Sequence, residues 1–95
     1  MENVSLKIAK QGHAVFVIAD NEGKPAAKLM VDIVENDLLV FGMAVLKKKI
    51  GSLRSDLFDA MVSYAREHYL KVISFNRFVY NKFKKNPERY ADVCG

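Results

Sequence analysis

Apolar and polar residues alternate from Val4 to Ala9, with Val4, Leu6 and Ile8 set against Ser5, Lys7 and Ala9, the period of a strand with one face buried. His13 to Ala19 is dense in β-branched and aromatic residues. Asp20-Asn21-Glu22-Gly23 then supplies turn chemistry before Lys24-Pro25, so the two flanking runs read as a hairpin. Ala27 to Val34 alternates again, Leu29, Val31 and Ile33 against Lys28, Met30 and Asp32. Glu35-Asn36-Asp37 makes a second polar turn before Leu38 to Val45. From Ser52 the period changes: Leu53, Leu57, Met61, Tyr64, Ala65 and His68 recur every three or four residues, with Asp56 and Asp59 early, where they suit the helix dipole. Lys71 to Phe75 is a short apolar run suited to a buried strand. Helical spacing resumes at Phe78, Val79 and Phe83 and stops at Asn86-Pro87. The pattern predicts one α+β domain over residues 1–95, in the order ββββαβα, with a meander of four antiparallel strands. A helix between the fourth and fifth strands is a crossover, which makes those two strands parallel and lays the helix on one sheet face.

Composition agrees with a globular domain: 51% hydrophobic and 27% charged residues leave enough apolar surface for a core in 95 residues. No apolar segment approaches the roughly 18 residues of a membrane span and no signal-like opening is present, so the expectation is a cytoplasmic protein without a membrane partner. Cys94 is the one cysteine, which excludes an internal disulfide and a cysteine-built metal site. The net charge of +4 is uneven. Residues 47–54 carry +4 and residues 77–89 another +4, so the remainder is acidic. Two basic segments on one face would attract a phosphorylated cofactor or nucleic acid.

The segment Leu46-Lys47-Lys48-Lys49-Ile50-Gly51-Ser52-Leu53-Arg54 joins the fourth strand to the first helix. Backbone N–H groups at a helix N-terminus are unpaired and partly positive, so such a loop favours anions, and its lysines add to that. Gly51 is its one glycine.

The stretch Leu57 to Asp92 resembles the end of a minimal GNAT-type N-acetyltransferase. The residues that carry the resemblance are Tyr64-Ala65-Arg66-Glu67, Lys71-Val72-Ile73, Phe78-Val79, and Pro87-Glu88 followed by Tyr90-Ala91-Asp92. Phe16-Val17-Ile18, Gly23 and Asp37-Leu38 extend the likeness over nearly the whole chain. The resemblance implies a GNAT-like acyl-CoA N-acyltransferase fold whose last two strands are parallel and splay apart. It implies that acetyl-CoA or CoA lies in the gap and that the acceptor is an amine of a small molecule or a protein. Cofactor contacts are then expected from Val45, Lys47, Lys48, Lys49, Ile50, Gly51, Ser52, Leu53 and Arg54, with Asn76 near the sulfur.

This chain departs from that family where the chemistry should be. Ser52 and Arg54 stand at the usual glycine positions of the cofactor loop. Phe41-Gly42-Met43-Ala44 replaces a His-Thr-Glu-Val-like segment and has no titratable group, and Asn76 replaces a cysteine and cannot form a thiolate. Asn76 is also a good helix cap for the segment at Phe78. Tyr69 takes the place of a glycine after the first helix, and Arg89 reads as an insertion before Tyr90. The expectation is an acetyltransferase-like protein with a degraded site and weak or absent turnover, its catalytic residues unassigned. His68, near a helix C-terminus, is expected to be structural, His13 to be solvated, and Tyr64 and Tyr80 to pack their rings. The alternative is a non-catalytic module whose basic face takes a protein or nucleic-acid partner. Nucleic acid is the less favoured of these, because aromatic platforms among basic residues on a sheet are not evident.

Overall fold

The structure, a computed structural model, describes residues 4–9, 12–47 and 51–95. Its elements are β1 (Val4–Ile8), β2 (His13–Ala19), β3 (Pro25–Val34), β4 (Asp37–Val45), α1 (Leu53–Glu67), β5 (Lys71–Ser74) and α2 (Arg77–Lys85). The strands lie in the order β1-β2-β3-β4-β5, the first four antiparallel and β5 parallel to β4. Strand β3 begins at Pro25 rather than Ala27. Pro25 opposes Ala19 across an irregularity in the ladder, and proline is tolerated at a strand's first position because little there needs its missing N–H.

The alternation determines which face is buried. Val4, Leu6 and Ile8 oppose Ile18, Phe16 and Ala14, and these share a face with Ala27, Leu29 and Val31, then Val40 and Leu38. On that face lie Leu53, Leu57, Phe58, Met61, Val62 and Ala65 of α1, all buried. Helix α2 packs beside α1. The Phe83 ring lies 5.3 Å from that of Phe58, and Tyr90 completes the cluster at 5.2 and 5.4 Å from the two. Among the described residues no helix covers the opposite sheet face, where Lys28, Met30 and Phe41 retain solvent contact.

Helix α1 ends in a Schellman motif: the Leu70 N–H donates to the Ala65 carbonyl at 2.8 Å and the Tyr69 N–H to that of Arg66 at 3.4 Å. This places Tyr69 in the left-handed region at φ 55°, with the residue 89% exposed. A residue with a Cβ pays about 1–2 kcal/mol in that conformation, and the exposed ring recovers none of it by burial. Tyr69→Gly is therefore expected to stabilise the fold by about 1 kcal/mol, a rise of roughly 4–8 °C in Tm for a domain of this size. Thermal unfolding of the two proteins by circular dichroism checks this; an unchanged or lower Tm counts against the strain.

The chain's end returns to the sheet. The Val72 N–H donates to the Val93 carbonyl at 2.6 Å and the Gly95 N–H to the Val72 carbonyl at 2.9 Å, which covers the outer edge of β5. Arg66 fastens this segment by donating to Asp92 from Nε at 2.8 Å and to the Arg89 carbonyl at 2.7 Å. The Arg66 guanidinium holds the Asp92 carboxyl below the usual carboxylate range. A depressed carboxyl stabilises the fold above its unfolded pKa and loses that contribution as pH falls through the folded one. Amide exchange at Val72 and Gly95 is thus expected to accelerate below about pH 4 relative to the β2–β3 ladder, and Asp92→Asn to abolish that difference.

Candidate functional site

Strands β4 and β5 pair over Asp37↔Lys71, Leu38↔Val72, Leu39↔Ile73 and Val40↔Ser74, and the last bond runs from the Phe75 N–H to the Val40 carbonyl at 2.8 Å. Beyond it, among the described residues, β4 continues to Val45 beside β3 alone. Two local features meet where this pairing ends. Strand β5 stops at Ser74 and the chain turns into α2 at Arg77. Val31 opposes Val40 and Leu29 opposes Met43, so Phe41 and Gly42 together face Met30: an extra residue in β4 forms a bulge. A Cβ built at Gly42 would come 2.9 Å from Met30 Cε, so the glycine admits the close approach.

Val40 turns its backbone groups to β5. Counting along the strand across the extra residue brings the N–H and C=O of Met43 and Val45 to the same side, where no strand follows among the described residues. Parallel strands share a direction, so the N-termini of α1 and α2 both lie toward the carboxyl ends of β4 and β5. The fork therefore offers an unpaired strand edge of about 16 Å at ~3.3 Å per residue, between two helix N-termini. An extended amide-bearing ligand can pair with such an edge as an added strand.

Of the expected cofactor residues, those described end β4, precede and open α1, and cap α2. Val45 ends β4, half-buried. Lys47 is directed toward Asp20, its Nζ 3.7 Å from Oδ2, and the N–H groups of Leu46 and Lys47 reach the Ala26 carbonyl at 2.8 and 3.1 Å. Asp20 is held ionised chiefly by the Lys24 N–H, with the Glu22 N–H and the charges of Lys47 and Lys24 adding to it, so its carboxyl sits below the usual range. Lys48, Lys49 and Ile50 lie outside the described residues. Gly51 is exposed, with nothing within 4 Å of a Cβ built on it; Ser52 and Arg54 are exposed and Leu53 is buried. Ser52 occupies the N-cap of α1, but its Oγ donates to Asp56 Oδ2 at 3.0 Å rather than accepting a backbone N–H. Asn76 caps α2, its Oδ1 accepting the Val79 N–H at 3.2 Å.

The remaining polar candidates serve the fold. His68 is the C-cap of α1 with its ring 4.1 Å from that of Tyr64, and Tyr64 stands edge-on to Phe16 at 5.8 Å. His13 is exposed, yet its Nδ1 lies 2.6 Å from Asp32 Oδ1 across the β2–β3 pair. Tyr80 borders a shallow concavity with Ser74, Phe75, Asn76, Arg77 and Asn81.

Sequence reading missed Phe41 and Phe75. They follow the last register pair of their strands, and their rings stack at the fork, 5.3 Å apart and 6° from parallel. Both remain open to solvent, 45% and 65% exposed. The signal available was a pair of aromatics just past the predicted parallel pairing, and using it needed the register.

No protein-family model matches the chain, and no curated protein sequence does. Among solved structures it is similar to the crystal structure of the ribosomal-protein-S18-alanine N-acetyltransferase from Escherichia coli, with a TM-score of 0.66 and 16% identity over 81% of this chain and 53% of that one. The chain thus spans about half the length of that enzyme. The likeness shows a GNAT-like fold, in keeping with the parallel β4–β5 pair.

Proposed function

We propose that the chain binds acetyl-CoA and CoA in the β4–β5 fork and belongs functionally with the N-acetyltransferases, with weak or lost turnover. The observation that carries this reading is the unpaired edge of β4 beyond Val40, which leads to the first turn of α1. Backbone groups of Met43 and Val45 would pair with the pantetheine arm. N–H groups of the first turn at Leu53 and Arg54 would face the phosphates, with Ile50, Gly51 and Ser52 as the approach and Lys47, Lys48, Lys49 and the Arg54 side chain as cations. The open space at Gly51 fits that role. Asp56, held by Ser52, places a carboxylate near the same helix end and weakens its pull on an anion.

When bound, acetyl-CoA supplies an acetyl group activated as a thioester. Among the described residues, the side chains at the fork, Phe41, Met43 and Phe75, hold neither acid nor base, and Asn76 is engaged as a cap. Rate enhancement then rests on positioning and on backbone N–H donors. The competent acceptor is an amine that arrives unprotonated, because none of these described side chains removes its proton. The neighbour's name specifies an acceptor on a ribosomal protein, which keeps protein amines beside small molecules in a screen. No helix among the described residues is long and apolar enough to cross a membrane, and a cytoplasmic setting goes with this reading.

A second reading draws on the exposed Arg77, Lys84, Lys85 and Arg89 in and after α2, a basic surface suited to a macromolecular partner. Calorimetric titration with CoA and acetyl-CoA at moderate salt separates the two. Saturable binding at micromolar ligand, on the order of −8 kcal/mol, is the expected result. No heat at millimolar ligand, with salt-sensitive binding of nucleic acid instead, selects the basic surface.

A further inference from the structure

We infer that the stacked Phe41–Phe75 pair is an acceptor subsite for small, flat aromatic amines that are uncharged at neutral pH; as an acceptor site it rests on the acetyl-CoA reading above. A ligand laid along β4 from the first turn of α1 ends where pairing with β5 begins, and the two phenyl rings stand there. Each residue keeps solvent exposure, and Phe75 also borders the concavity lined by Tyr80 and Asn81. A third ring can extend an existing offset stack without new ordering of the first two.

Charge selects in the same direction. Lys28, opposite Ala44 on the outer sheet face, and Arg77, at the start of α2, flank the fork with cations. Asp32, the carboxylate on the outer face of β3, is engaged by His13 at 2.6 Å. Among the described residues, an alkylammonium ion or a polyamine therefore meets like charge at Lys28 and Arg77, with the Asp32 carboxylate already taken by His13. An arylamine differs, because conjugation of its nitrogen with the ring keeps it neutral near pH 7. It needs no base to become a nucleophile, which suits a fork without one. Transfer to it forms one N–C bond and breaks the thioester C–S bond; the sulfur keeps the electron pair and the spare amine proton goes to water. A single-stranded nucleic acid fits less well, since the two rings stack on one another rather than standing in a row for successive bases.

The test uses the protein without cofactor. Titration with p-anisidine, followed by NMR at the ring signals of Phe41 and Phe75, is expected to saturate, with cyclohexylamine and spermidine at least tenfold weaker. Phe75→Ala, a change at an exposed position, is expected to weaken p-anisidine at least tenfold, and Phe75→Tyr to restore it. Equal binding of cyclohexylamine, no effect of Phe75→Ala, or tighter binding of a short oligothymidine through the same rings overturns the inference. Ring signals that shift with protein concentration alone identify a second copy as the occupant and also overturn it. Because this binding needs no CoA, a failed CoA titration removes the cofactor reading while the amine titration still reports on the subsite. If both ligands bind, acetylation of p-anisidine in preference to spermidine is the expected product analysis.

Discussion

Phe58→Ala is expected to destabilise the protein by about 3–5 kcal/mol, the range for removing a buried ring from a core that cannot collapse around the space. Phe58 is fully buried on α1, and its ring meets Phe83 of α2 and Tyr90 of the closing segment, with Lys82 Nζ 5.4 Å from its centroid. The ring therefore joins three pieces of chain. The domain as a whole has roughly 5–14 kcal/mol at ~0.05–0.15 kcal/mol per residue, so the substitution removes a large share of it. Urea unfolding at neutral pH measures the loss, and Phe58→Leu, which keeps most of the volume, is expected to cost less than half as much. A loss under about 1 kcal/mol for the alanine variant would mean that α2 and the C-terminal segment are held elsewhere.

Met43→Pro is expected to weaken CoA at least tenfold, about 1.4 kcal/mol, while Met43→Ala leaves the affinity within a factor of about three. Proline removes the N–H that faces the open side of β4, and the β3 ladder does not depend on that group. Gly42 precedes it and accepts the extended backbone that proline imposes. The alanine variant shares the loss of side-chain packing but retains the N–H. The difference between the two, measured by calorimetry with folding checked by circular dichroism, isolates the strand-edge bond. Equal affinities for the two variants would mean that CoA, if bound, does not run along β4.

How far the site could be read varied by residue. The cap at Asn76 was legible, since an asparagine just before a helical period has a local reason to accept an N–H two or three residues on. Tyr69 was legible as an anomaly, and its left-handed backbone now explains why a glycine would suit the position. The approach of Lys47 to Asp20 was not legible, because Asp20 is distant in sequence and the β2–β3 turn brings it back to the end of β4. The Phe41–Phe75 stack and the contact of His13 with Asp32 were hidden for the same reason: each needs the register of two strands.

Period along the chain determined the five strands, two helices and their order, because side-chain direction repeats every two residues in a strand and every 3.6 in a helix whatever the rest of the molecule does. It also determined the parallel β4–β5 pair, since a helical crossover leaves the chain no shorter way back. The tertiary structure alone decided the fork. Leu38 to Val45 reads as one unbroken apolar run, and an extra residue at Phe41–Gly42 exists only relative to the partner strand that must fit beside it. Register, bulge and the rings they bring together are set by packing across the sheet, a balance among residues far apart in sequence that no local pattern contains.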